Sequence, residues 1–264
     1  MRVLVMTNMY PPHHYGGYEL SCQDTVERFV AAGHEVSVLT SDIRVTGVDE
    51  PDSAAAPVWR DLRLYWEDHR LLNPSLTERL AIERSNQHAL LQALERARPD
   101  VVSVWNMGAV SLGLLSTLAR RGLPVVYVIA DDWPVYGQVL DAWSRLFRRR
   151  LGWLAAPVVK LVVGVPTATI DFSLLGPFLF YSDSIRQSVN ESSGLSVPSS
   201  AVVHCGVDTE DFPLSAADGP AVARRWRGQL LYVGRIDERK GIDTAIRALS
   251  SLPGCRLRVV GRGD

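Results

Sequence analysis

The sequence predicts an α/β protein built on a doubly wound parallel sheet, followed by the first β-α-β unit of a second domain of the same kind. Three observations predict this. Short runs rich in Val, Leu and Ile alternate with longer segments whose apolar residues recur at helical spacing. The chain opens with a strand, a glycine-bearing loop, a helix and a strand, which is one β-α-β unit. No apolar run is long enough to cross a bilayer as a helix.

Arg2 to Thr7 reads as the first strand. In Asn8 to Glu19, Pro11 and Pro12 forbid helix, and Gly16-Gly17 is expected to make a backbone turn costly for other residues. A helix follows with Cys22, Val26, Phe29 and Val30 on one face and Gly33 as its stop, then a strand from Glu35 to Thr40. Asp42 to Asp61 is polar and reads as a surface excursion, with a short strand from Leu62 to Trp66. Ser75 to Arg98 reads as a long helix with Leu80, Leu91 and Leu94 inward. Val101 to Val104 is a buried strand, Trp105 to Gly108 a loop, and the next helix carries Val110, Leu114, Leu115 and Leu118 as far as Arg120. Strands are expected at Val125 to Ile129, Phe178 to Tyr181 and Ala201 to His204, with a helix starting at Ser182-Asp183-Ser184.

This organisation makes 1–212 one domain, 213–228 a linker and 229–264 the incomplete start of a second domain. A strand from Leu230 to Val233, a helix after Gly241 and a strand from Arg256 to Val260 form that start. One such unit is too small to bury a core, so marginal order and an exposed apolar face are expected after about Gly228.

Of the 264 residues, 47% are hydrophobic, enough for a real core, and the formal net charge is −1. That balance gives no basic field for nucleic acid. Cys22, Cys205 and Cys255 lie far apart and form neither a disulfide framework nor a metal-site spacing, which points to a reducing cytoplasm.

Several residues are candidates for chemistry. Arg235 and Lys240 follow the strand that Gly234 ends, so a loop with two cations meets a helix start, an arrangement suited to an anion. The alternative is two solvated loop charges. Gly16 and Gly17 lie at the carboxyl end of the first strand, where open α/β sheets bind ligands. Asp131 and Asp132 end a central strand. They read either as site carboxylates or as helix caps, with Pro134 suited to the first turn. His13 and His14 have no acidic or cysteine partner at metal-ligand spacing, so they read as cleft or surface imidazoles. Segment 145–165 places Arg148-Arg149-Arg150 beside an apolar, Trp-bearing stretch. It reads either as a helical hairpin on the sheet, broken at Pro157, or as a peripheral contact with a membrane surface.

Gly234-Arg235 to Lys240-Gly241 resembles the G-R-x-x-x-x-K-G segment of retaining glycosyltransferases of family four. Tyr10-Pro11-Pro12, Gly16-Gly17 and Gly33-His34-Glu35-Val36 resemble that family's opening, and Gly206, Val207, Asp208 and Phe212 its P-N-G-V-D-x-x-x-F segment. The resemblance implies a GT-B fold with two Rossmann-like domains. It implies transfer of a sugar from a nucleoside-diphosphate donor to an acceptor hydroxyl on a sugar, lipid or small molecule, with retention of configuration. Arg235, Lys240, Gly16 and Gly17 would hold the donor phosphates, and His13, His14 and Gly206 would lie at the acceptor cleft. No metal or other cofactor is expected, because the two cations would do that work. The family's H-D-x-W-P motif is altered: Ala130 stands where its His would be, leaving Asp131 and Asp132 as the catalytic candidates. The family's E-x7-E segment is absent, so the chain is expected to be a truncated form, cytoplasmic or peripheral at the inner membrane face. The other readings are a non-catalytic sugar- or acceptor-binding domain, or a GT-B isomerase or phosphorylase.

Overall fold

The computed structural model describes residues 1–50, 54–67, 70–147, 152–167, 171–172, 175–193, 197, 199–210, 212 and 228–263. The chain divides into two compact units, 1–206 and 207–264.

The first unit is a layered α/β domain. Its elements are β1 (Arg2–Met6), α1 (Gly17–Ala31), β2 (Glu35–Ser41), β3 (Val58–Leu62), the two-residue strands β4 (Trp66–Glu67) and β5 (Arg70–Leu71), and α2 (Leu76–Ala97). There follow β6 (Val101–Val104), α3 (Gly113–Arg121), β7 (Val125–Ile129), α4 (Trp133–Leu140), α5 (Ser144–Phe147), α6 (Gly152–Val163), β8 (Phe178–Phe180), α7 (Asp183–Ser193) and β9 (Ser200–Val202). Seven strands form one sheet in the order β3-β2-β1-β6-β7-β8-β9, all parallel. The winding reverses between β1 and β6, which makes the sheet doubly wound as the alternation of elements predicted.

The pattern of apolar residues explains the layers. Val3 and Val5 of β1 join Cys22 and Val26 of α1 on one face, while Leu4 and Met6 face Leu90, Leu94, Leu114 and Leu118 on the other. Alternate side chains thus enter two different cores, so β1 is apolar at nearly every position.

Several local expectations are corrected. The edge strand begins at Val58, not Leu62; its polar Arg60 and Asp61 hide it from an apolar-run reading, and an edge strand tolerates them because it pairs on one side only. Leu91 is exposed, and its neighbour Leu90 is buried instead, in step with Glu83, Asn86 and Gln87 one and two turns back; Leu94 is buried as expected. Helix α6 runs through Pro157 without a break. Ala156, Val159 and Val163 pack against the cluster of Tyr65, Trp143, Phe147 and Val165, and this packing offsets the one missing N–H. Arg148 to Arg150 and the linker residues 213–227 lie outside the described residues.

Behind α3 lies a buried polar group. Asp141 accepts N–H bonds from Leu112 at 3.0 Å, Trp143 at 2.9 Å and Ser144 at 3.0 Å, so one carboxylate holds the entries to α3 and α5. Glu83, fully buried, accepts the Tyr65 hydroxyl at 2.7 Å. Burial first, then the nearby Asp141, pushes the Glu83 carboxyl up to about 8. Asn86 bonds Arg63 N–H at 2.7 Å and Arg63 C=O at 2.8 Å, tying α2 to the chain leaving β3.

The second unit contains β10 (Gln229–Val233), α8 (Ile242–Ala248) and β11 (Arg256–Val260), with the two strands paired in parallel over five residues. These elements and the turns between them span Gly228 to Gly263. The expected apolar exposure is present: Leu231, Val233, Ile246 and Val260 are all exposed, and Ile242 is the buried hydrophobic of this unit among the described residues. Gly261 is needed where β11 leaves the sheet, because a Cβ there would sit 1.8 Å from the Gly234 carbonyl oxygen.

A carboxyl whose folded pKa is raised favours the folded state fully below its unfolded value, and that contribution is lost as pH rises through about 8. Stability should therefore fall between about pH 4.5 and 8 with a slope of at most ~1.4 kcal/mol per pH unit from this group. Glu83→Gln should flatten that slope in denaturant titrations run across the range. An unchanged slope would show that Glu83 does not titrate there.

Candidate functional site

The reversal between β1 and β6 places two loops side by side at the carboxyl edge of the sheet. The Asn8 N–H donates to Asn106 C=O at 2.7 Å, and Trp105 N–H donates to Met6 C=O at 2.8 Å. Past these bonds the chains part. Asn8 Oδ1 accepts Met9 N–H at 2.7 Å and its Nδ2 reaches Gly108 C=O at 3.3 Å. Asn106 Oδ1 accepts Gly108 N–H at 2.8 Å. Gly108 has no room for a side chain, since a Cβ would lie 2.9 Å from the Tyr136 ring.

From β7 comes the carboxylate pair, and the structure separates its members. Asp131 accepts Trp133 N–H at 3.0 Å and the Tyr136 hydroxyl at 2.9 Å. It therefore anchors the start of α4. Burial raises its pKa and these donors lower it. Asp132 is exposed and makes no side-chain cap bond. Of the two catalytic candidates, Asp132 is thus the one whose carboxylate is turned to solvent, while Asp131 is committed to the fold.

On the other side of the edge, α1 starts with Gly16 as its cap. Gly16 has φ −145° and ψ 179°, extended backbone open to any residue, and Gly17 is not left-handed either. The expectation that this pair makes a glycine-only turn is corrected. Both glycines are exposed, and a Cβ on Gly17 would meet nothing within 4 Å. Gly16 N–H is taken by the buried Glu19 carboxylate at 3.0 Å. Glu19 thus already places a negative charge on the positive end of α1. Tyr18 donates its hydroxyl to Val128 C=O and packs near Trp105 and Tyr181, joining α1 to the ends of β6, β7 and β8. Burial raises the Tyr18 pKa far above neutral, so it stays a donor.

His13 is not a cleft imidazole. It is 2% exposed, its Nδ1 accepts Val45 N–H at 3.2 Å and its Nε2 lies 3.4 Å from Glu50. Burial, reinforced by Arg60, lowers its pKa, and the neutral ring locks the loop. His14 is half-buried and its Nδ1 makes no hydrogen bond to the described residues. Arg60, missed by sequence reading, organises this loop. Its guanidinium donates to Tyr10 C=O at 3.0 Å and Pro11 C=O at 2.8 Å, and to Glu50 at 2.6 Å. Nothing local marks Arg60, because the two carbonyls it holds lie 49 and 50 residues away. Gly206 is exposed, with open space where a Cβ would stand.

In the second unit, Gly234 ends β10 with φ 155° and Gly241 adopts φ 67° before α8. Between them Arg235 pairs with Asp237 at 3.2 Å. It is therefore not the free cation that the sequence implied. A half-exposed pair of this kind is worth at most about 1 kcal/mol, so a doubly charged anion can displace it. Lys240 is exposed, and among the described residues its ammonium has no ion pair. Also among the described residues, no three His, Cys, Asp or Glu are grouped to hold a metal ion.

A parallel doubly wound domain with its loops open at the switch point is a ligand-binding α/β domain, and its relatives say of which sort. The family profile described as "Glycosyltransferase Family 4" matches residues 15–211, and the chain belongs to that family. Glycogen synthase of Mycobacterium tuberculosis is 26% identical over 288 aligned positions, covering 100% of this chain and 62% of that protein. The chain thus spans about three-fifths of that relative's length. Sucrose-phosphate synthase from Thermosynechococcus elongatus shares the fold with a TM-score of 0.57 at 17% identity, over 99% of this chain and 62% of that one. The catalytic domain of starch synthase IV from Arabidopsis thaliana, bound to ADP and acarbose, gives a TM-score of 0.54 at 10% identity, over 99% and 68%. These are GT-B glycosyltransferase folds, as the motifs implied.

Two predictions follow from the roles of these side chains. Asp131→Ala should cost about 1–2 kcal/mol in a denaturation curve, as lost helix anchors do, while Asp132→Ala should stay within about 0.5 kcal/mol. Equal costs would contradict the division of labour drawn here. Arg60→Ala should cost about 2 kcal/mol, because two carbonyls and Glu50 lose their donor, whereas Arg44→Ala, at an exposed 3.5 Å contact with Glu50, should change stability little.

Proposed function

We propose that the chain carries the acceptor-side domain and a donor-phosphate loop of a retaining glycosyltransferase. Its donor is a nucleoside-diphosphate sugar and its acceptor a hydroxyl on a sugar, lipid or small molecule. The observation that carries this reading is the family match over 15–211, joined to the Gly234-Arg235 to Lys240-Gly241 loop in a β-α-β unit. The ADP bound to starch synthase IV supports a diphosphate donor by analogy of fold.

The chemistry asks for little from protein acids. Breaking the bond from the anomeric carbon to the diphosphate leaves negative charge on the leaving oxygen, which Arg235 and Lys240 stabilise. The diphosphate itself takes the proton from the acceptor hydroxyl, so no protein base is required, and the two cations replace a metal ion. Asp132, exposed at the sheet edge, orients the acceptor, and Asp131 holds α4 in place behind it. Gly17 leaves room for a ligand at α1. The Gly16 N–H is already taken by Glu19 and is not open to a phosphate. A second reading, a sugar-binding domain without catalysis, is favoured by Ala130 in place of the family's His.

Lys240→Ala should lower nucleoside-diphosphate release by about two to three orders of magnitude while leaving the melting temperature unchanged. Release at the parent rate would remove Lys240 from the mechanism. No release by the parent with any nucleotide sugar would favour the binding domain.

A further inference from the structure

A cleft of about 600 Å³ opens at the amino edge of the sheet, where α2 and α3 finish and β6 and β7 begin. This is the end of the sheet away from the candidate site. The volume falls within the roughly 300–1,000 Å³ of small-molecule pockets. Leu94 and Pro99 are buried and Leu123 is half-buried, so they form an apolar floor, and Leu91 continues it to the surface. Glu95, Arg98 and Arg121 line the same cleft and are exposed.

Arg98 is held in an uncommon backbone. It caps α2 with φ 42° and ψ 56°, the left-handed conformation. Gly takes that conformation freely and a residue with a Cβ does not; Gly122 fills the corresponding place on α3. A cation that only serves the carbonyl end of a helix can sit within the last turn on ordinary backbone, as Arg96 and Arg121 do. Arg96 also lies over the Trp59 ring. Arg98 has no comparable gain: among the described residues, neither it nor Arg121 has an ion pair. A strained residue that the fold does not reward, on the wall of a cleft, points to a ligand.

The composition of the cleft selects that ligand. Two guanidiniums against one carboxylate leave a positive charge uncompensated, and a guanidinium suits a carboxylate in particular. A small inorganic ion would leave the apolar floor bare. We propose that this cleft is a second binding site, for an organic carboxylate whose apolar body lies on Leu94, Pro99 and Leu123 and whose carboxylate is held by Arg98 and Arg121. It lies within the first unit and does not depend on the sugar-transfer reading.

The test is calorimetric titration of the whole chain with 1-naphthoate. The neutral analogue is 1-naphthalenemethanol, and acetate is the anion without an apolar body. 1-Naphthoate should bind at least about tenfold tighter than the alcohol, and acetate at equal concentration should not displace it. Arg98→Gly should weaken binding about fivefold or more without lowering the melting temperature, because Gly suits the left-handed backbone. Arg121→Ala should weaken it to a similar extent, and Glu95→Gln should tighten it about twofold by removing the opposing charge. Arg186→Ala and Lys240→Ala, both off the cleft, should bind like the parent. The proposal is overturned if 1-naphthoate does not bind, if the alcohol binds as well, or if acetate competes equally. It is also overturned if Arg98→Gly and Arg121→Ala both bind like the parent, or if Lys240→Ala is the variant that loses binding.

Discussion

The constraint on which the first unit depends is the pairing of β1 with both β2 and β6: the chain after β1 turns to α1 on one face of the sheet, and the chain after β6 turns to α3 on the other. A parallel sheet wound both ways from one strand cannot keep its next loops together. After Met6 and Val104 the last shared backbone bonds are those of Trp105 and Asn8, and then the loops diverge. The opening at the sheet edge is therefore a consequence of topology. The α1 start, the Asn106–Gly108 turn and the carboxylates after β7 lie around it.

Buried polar groups then fix the loops that topology leaves apart. Asp131, Asp141 and Glu19 each satisfy backbone N–H groups at helix starts, and Arg60 satisfies two loop carbonyls from an edge strand. A buried donor or acceptor without a partner costs more than a made bond gains, so such contacts hold a loop in one conformation. They also remove residues from chemistry. Asp131 and His13 are engaged by the fold, which leaves Asp132 as the carboxylate open to a ligand.

The second unit presents the opposite case. Its strand pair is in full register, yet its apolar side chains remain largely in solvent. Hydrogen bonding between two strands needs only local alignment, whereas a core needs a second layer. The cation loop is formed nonetheless, since Gly234, Gly241 and Gly261 set the backbone and Ile236 N–H donates to Arg262 C=O at 2.7 Å.

Read alone, the sequence determined the winding of the sheet, most helix and strand positions, the cation loop and the family. These rest on periodicity, turn residues and motif spacing, all of which are local along the chain. It misplaced the edge strand at Val58, broke α6 at Pro157 and treated Gly16-Gly17 as an obligatory turn, because each depends on neighbours from elsewhere in the fold. Only the tertiary structure decided that Asp131 anchors while Asp132 is free, that His13 is buried against Val45 and Glu50, that Arg60 holds the loop, and that Arg235 meets Asp237. A side chain's role follows from which groups reach it in space and how much water is left around it, and neither is written in its sequence neighbours.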